Sequence, residues 1–212
     1  MGEPAGSPDA RRGGPPRTSP SRHACGVHAV PAMIHVMAAP LADPTSIRAF
    51  MRGLRREADV ASRIYLTGGA SAVLLGWRPS TIDIDLTMQP EHDALYRAIA
   101  RLKDELQVNV ELAAPSHFVP ALPGWEERSL FIASEGRLQF FHYDFHSQAL
   151  AKIERDHEQD RTDVVEMIAR GLVDPARLRE LYARVADQVV RYPAIDAAGL
   201  GLALDRLAGL PG

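Results

Sequence analysis

A single cysteine, Cys25, and only two lysines, Lys103 and Lys152, occur among the 212 residues of this chain. One thiol closes no internal disulfide and supplies no cysteine-based metal centre, which fits a reducing, cytoplasmic setting. No apolar run approaches the ~20 residues that a bilayer-spanning helix needs. The formal net charge of −3 excludes an overall basic field that would draw the chain to nucleic acid or lipid. Arginine is abundant, however, so a local basic patch stays open, with the arginines of 155–184 as one source. Neither a P-loop nor a G-x-S-x-G is present, and no internal repeat is visible. What is present is ordinary for a soluble globular protein: 46% hydrophobic and 24% charged residues, enough for one domain with a real core or a domain with a helical appendage.

Residues 1–42 stand apart in composition. "GEPAGSPDARRGGPPRTSPSR" has almost nothing apolar to bury and is expected to be disordered. It lacks the apolar core of a signal peptide. It reads as a tail, or as upstream codons before a start at Met33 or Met37, with a basic RNA-binding arm as the alternative.

After residue 42 the periodicity sharpens. "DPTSIRAFMRGLRREAD" predicts a helix, with Thr45 as N-cap and Ile47, Phe50, Met51 and Leu54 on its apolar face. A strand at "RIYLT" leads into a short helix that opens at Gly68 and Gly69 and ends at Gly76. "TIDIDLTM" alternates with period two and predicts a strand, followed by a helix at "EHDALYRAIARLKDEL" and a strand at "VNVELA". "RSLFIA" and "RLQFFHYDF" flank Ser134, Glu135 and Gly136 as a hairpin. From Ser147 onward only helices are expected, including one run of "DPARLRELYARVADQVV" opened by Asp174 and Pro175. The expected class is α+β: a small mixed sheet flanked by helices over 43–146, then a helical region over 147–212.

Asp83 and Asp85 interrupt an otherwise apolar strand. Residues two apart share a face, so these carboxylates project together while Ile82, Ile84 and Leu86 anchor the other side. Two adjacent carboxylates repel, and a divalent cation is the natural compensation. The bland alternative is an edge strand with a solvated acidic face. Upstream, Gly68 and Gly69 follow a strand and open a helix, an arrangement that lets backbone amides approach a phosphate. Ser71 lies in the first turn, where its hydroxyl is expected to reach a phosphate oxygen or cap the helix.

"LTGGASAVLLGWRPSTIDIDL" resembles the signature of the DNA polymerase β-like nucleotidyltransferase superfamily, a glycine turn followed by an hDhDh strand. The likeness is greatest to minimal bacterial nucleotidyltransferases of abortive-infection and toxin–antitoxin type. It implies that Asp83 and Asp85 hold Mg²⁺, with two ions expected, and that Gly68, Gly69 and Ser71 hold the triphosphate of an NTP such as ATP. Arg78, in "WRPSTIDID", resembles an Arg–Ser/Thr approach to the acidic strand; otherwise it covers Trp77. A third acid is implied on a following strand, with Glu111 as first choice and Asp144 as rival. A second pattern, "ALAKIERDHEQDRTDVVEMI", implies that Lys152 contacts the triphosphate and that Asp160, with Asp163, supports the site. The alternative there is a helix pair in which Asp160 or Asp163 is an N-cap.

The activity implied is transfer of an NMP from an NTP to an acceptor hydroxyl, on RNA or a tRNA 3′ end or on a protein. The protein would then be a candidate toxin with a cognate antitoxin. A catalytically silent member acting as a partner-binding module is the alternative. A nucleotide-sugar glycosyltransferase is less favoured, because only about 40 ordered residues precede the acidic motif. His142, His146 and His157 form no zinc pattern. Trp77, Trp125, Phe140 and Phe141 read as core rather than as base-stacking platforms.

Overall fold

The computed structural model describes Gly2 and residues 41–209. The expected tail lies outside the described residues except for Gly2, Leu41 and Ala42, as does Cys25.

The first helix, α1 (Pro44–Glu57), starts on Asp43, whose side chain accepts from the Ser46 amide at 2.8 Å. Asp43, not Thr45, is therefore the cap, and Pro44 occupies the first helical position, where it has no amide to leave unpaired. Ile47, Phe50, Met51 and Leu54 are buried, as their spacing demands. The chain continues through β1 (Ser62–Thr67), α2 (Gly68–Leu74), β2 (Asp83–Gln89), α3 (Asp93–Leu106) and β3 (Asn109–Leu112). One turn of helix, α4 (Trp125–Arg128), precedes the hairpin of β4 (Leu130–Glu135) and β5 (Leu138–His142).

These strands form one mixed sheet in the order β3-β2-β1-β5-β4. The central strand β1 runs antiparallel to β2 and parallel to β5, and β2 runs parallel to β3. Its interior position explains why the run from Ile64 to Leu66 is buried on both faces. Ile64 and Leu66 pack with α1 and α3. On the other face Tyr65 meets Trp125 edge-on, and Trp125 stacks flat on Tyr143 with ring centroids 4.2 Å apart.

The remaining chain is α5 (Phe145–Arg155), α6 (Glu158–Ala169), α7 (Pro175–Ala183) and α8 (Ala197–Ala208). They share a second apolar core built on Phe145, Leu150, Met167, Leu178, Leu181 and Leu204. The mixed α+β class is as expected. No helix among the described residues is long and apolar enough to cross a membrane.

Several local expectations are corrected. Ile82 precedes β2 and is 59% exposed, so the strand is anchored by Ile84, Leu86 and Met88 instead. Glu135 pairs with Leu138, so the hairpin turns at Gly136 and Arg137, with Gly136 at φ +63°. The long run expected from Asp174 breaks after Ala183, and a 3-10 turn over Ala186–Arg191 follows. Helix α6 begins at Glu158, so neither Asp160 nor Asp163 caps it.

Candidate active site

The site is set by strand register. Antiparallel pairing of β1 with β2 puts Asp85 opposite Thr67, the residue before the glycine turn. Parallel pairing of β2 with β3 puts Glu111 beside Asp85 and Asn109 beside Asp83. Both aspartates are half-buried on one face, while Ile84 and Leu86 are buried on the other. Asn109 donates its side-chain amide to Asp83. Asp144, the rival third acid, is elsewhere: it caps α5, accepts a two-pronged contact from Arg128 and bonds Ser147. Burial pushes its carboxyl upward, but contacts from His146, Arg128 and Ser147 prevail and hold it down at about 2.

The two glycines answer to the protein itself. Gly68 sits at φ +56°, and a Cβ there would lie 2.7 Å from the Asp85 Oδ2. A Cβ on Gly69 would lie 2.0 Å from the Thr81 Oγ1. Bare backbone at both positions thus lets the acidic strand close against the turn. The expectation that the Gly68 amide faces a phosphate is corrected, since that N–H donates to Gln148 Oε1 at 2.9 Å. Ser71 is also corrected. It is fully buried, and its hydroxyl donates to the Leu66 carbonyl at 3.1 Å with His142 Nδ1 at 3.0 Å. A serine at that point of α2 faces the sheet.

Opposite the acids, α5 presents Gln148, Lys152 and Arg155 on one face, spaced four and three residues apart. Lys152 is buried, and its Nζ donates to Asp160 at 2.8 Å and to Asp163 at 2.6 Å. An ammonium has three donors, so one stays free of these carboxylates. Asp163, with 0% exposure, also accepts from Trp77 Nε1 at 3.1 Å and from both prongs of Arg78. Arg78 edges the cleft, but its fork is engaged by Asp163, so it braces the approach to β2 against α6 rather than standing free for a phosphate. Arg155 closes the network with two bonds to Asp160, of 2.9 and 2.8 Å. Burial pushes Asp160 upward, yet the bonds from Arg155 and Lys152 hold it below the ordinary carboxylate range.

Three cations against two carboxylates leave this network net positive, and it faces Asp83, Asp85 and Glu111. Two recesses meet on that line, of about 130 Å³ and about 340 Å³, and both are lined by Gly68, Asp85, Lys152 and Arg155. Burial first, then the charges of Asp83 and Glu111, push Asp85 up from 3.8 to about 6, while Arg155 and Lys152 oppose the shift. Such a carboxylate is short of a cation. Among the described residues no three His, Cys, Asp or Glu side chains gather closely enough to enclose a metal. Mg²⁺ does not need such a cage, because one or two carboxylates, waters and substrate phosphates complete its shell. The Asp83–Asp85 pair fits that donor set.

Sequence reasoning missed Arg155, Gln148 and Asn109. The first two lay in plain view as a helical stripe with Lys152. Asn109 required the β2–β3 register.

Among curated proteins and solved structures no significant match is found. A family match does cover residues 45–195, which run from α1 to just before α8 and include every residue of the acidic cleft named above. By that match the chain belongs to the family described as "Nucleotidyltransferase of unknown function (DUF6036)".

Proposed function

We propose that the protein is a Mg²⁺-dependent nucleotidyltransferase that moves an NMP from an NTP to an acceptor hydroxyl and releases pyrophosphate. Residues 43–146 form its catalytic core and 147–212 the helical region that completes the cleft. The observation that carries the reading is the placement of Asp85: against the Gly68 bend, beside Glu111, and facing the Lys152–Arg155 edge of a net-cationic network.

Asp83 and Asp85 would hold Mg²⁺, with Glu111 sharing a second ion, and the metal would supply charge neutralisation for the triphosphate and a lowered pKa for the acceptor hydroxyl. The chain's own groups do the rest. Arg155 and the free donor of Lys152 hold phosphate oxygens from the α5 side, in a preorganised field that stabilises charge as it shifts toward the leaving group. Asp160 and Asp163 fix the Lys152 ammonium, so its position costs no reorganisation during reaction. Gln148 pins the glycine turn to α5, which keeps the two walls of the cleft in register. The helical region also contains a larger recess of about 560 Å³ between α5, α6 and α8, with Lys152 in its wall, as room for a base or acceptor group.

The acceptor is an RNA end, such as a tRNA 3′ terminus, or a protein hydroxyl, and a toxin role with a cognate antitoxin follows if that modification disables the host. The test incubates the protein with Mg²⁺, each α-labelled NTP, total RNA and total protein. Label is expected in one pool with wild type and in neither with Asp83→Ala. Label in neither pool, with no pyrophosphate released by wild type, would favour the silent partner-binding module instead.

A further inference from the structure

Helix α1 buries Ile47, Phe50, Met51 and Leu54 against the sheet. Its outer side carries Arg48, Arg52, Arg55 and Arg56, all exposed. Four-residue steps advance ~6 Å along a helix and return to nearly the same face. The four guanidiniums therefore form a stripe. Among the described residues none of them makes an ion pair, and the helix's one acid, Glu57, pairs with Arg101 instead. Glu135 borders the shallow recess of about 310 Å³ that Arg52, Arg55 and Arg56 line, without an ion pair to any of them. Like charges one turn apart repel and weaken a helix. In a chain of net charge −3, such a concentration is explained best by a polyanion that lies on it.

The start of α1 lies at the rim of the cleft. Ala42, just before α1, exchanges backbone bonds with Thr81 at 2.7 and 2.9 Å, and Leu41 lines the same recess as Gly68 and Asp83. At the far end the Arg55 stem lies on the Gly136 turn of the β4–β5 hairpin. Since β5 runs toward the cleft from that hairpin, α1 and its arginines run from the cleft end of the sheet back toward the hairpin, on the face opposite Asp83 and Asp85.

We propose that this stripe binds the phosphodiester backbone of a nucleic-acid strand whose end carries the acceptor hydroxyl into the cleft. The inference deepens the nucleotidyltransferase reading by naming the acceptor class, and it rests on that reading. Arginine suits the task, because its planar fork matches phosphate oxygens and its charge is permanent.

The test measures anisotropy of a fluorescently labelled 20-nucleotide single-stranded RNA, and of DNA of the same sequence, with the full chain across a salt series. No NTP or metal is added. Wild type is expected to bind with affinity that falls as salt rises. The R52Q/R55Q/R56Q variant should bind at least about tenfold more weakly, with a salt slope smaller by roughly 2. Arg184→Gln with Arg191→Gln serves as a control and should change little. Equal binding of RNA and DNA supports recognition of phosphate alone, and a preference for RNA adds the 2′-hydroxyl. No binding by wild type, unchanged binding by the triple variant, or an equal loss in the control overturns the proposal. Circular dichroism and thermal protection by MgATP, both expected unchanged in the triple variant, separate loss of this surface from loss of fold. If MgATP protects wild type but nucleic acid does not bind, this inference fails and the nucleotidyltransferase reading stands.

Discussion

Replacing Asp85 with Asn removes a charge from the place where the fold least favours one. In the folded chain burial, Asp83 and Glu111 push the Asp85 carboxyl from 3.8 to about 6. An acid with a raised folded pKa binds its proton more readily in the native state. It therefore opposes folding by nothing below about pH 4 and by its full amount above about pH 6. At 1.4 kcal/mol per unit, that amount is about 3 kcal/mol without magnesium. Asn keeps the shape but places an amide among polar groups, so the expected gain at pH 8 is about 1–3 kcal/mol, or ~2–10 °C in Tm for a domain of this size. His142 titrates in the opposite sense over nearly the same window. Burial, aided by the charge of Arg48, lowers it from 6.5 to about 4, so the native state resists protonation and stability falls as pH drops through that range. The loss is about 3 kcal/mol. The two sites thus nearly cancel in wild type between pH 6 and 4. Thermal melts in chelator at pH 8, 6, 5 and 4 should show Asp85→Asn more stable at pH 8 and steeply acid-labile, converging on wild type near pH 4. Parallel pH profiles for the two proteins, or a variant less stable at pH 8, would refute the account of Asp85. Magnesium should stabilise wild type and leave the variant unmoved.

The companion variant His142→Gln removes the opposing titration, and melts in chelator should then show a protein that gains stability as pH falls from 6 to 4. Asp163→Ala strands Trp77 Nε1, Arg78 and part of Lys152 in a buried place; a loss of about 3–5 kcal/mol in urea unfolding is expected. Arg155→Met leaves Asp160 paired with Lys152, so it should weaken MgNTP binding by calorimetry while shifting the urea midpoint little. Gly69→Ala drives a Cβ into Thr81. A loss of about 1–3 kcal/mol is expected, partly recovered when Thr81→Gly is added.

Much of the fold was legible because it is written in local patterns. Helical spacing announced α1 with its inward face and the helix α3, and Asp174 with Pro175 announced the start of α7. The Asp-x-Asp alternation put Asp83 and Asp85 on one face before any coordinates, since a strand's period of two admits no other outcome. The glycine turn was legible too, but its reason was not. Gly68 and Gly69 yield to Asp85 and Thr81, residues twelve or more positions away, and only the closing of β2 on β1 creates those contacts. The same holds for Ser71, where helical phase against the sheet sends the hydroxyl to Leu66 and His142. That Glu111 lies beside Asp85 while Asp144 is held by Arg128 at the start of α5 follows from the β2–β3 pairing and a contact sixteen residues apart, both long-range facts.

The sequence by itself determined which residues share a helix or strand face, because backbone periodicity is a local property. Which faces meet, and hence which charges are buried, paired or left uncompensated, was decided only by tertiary packing, because strand order and helix docking join residues that no local pattern relates.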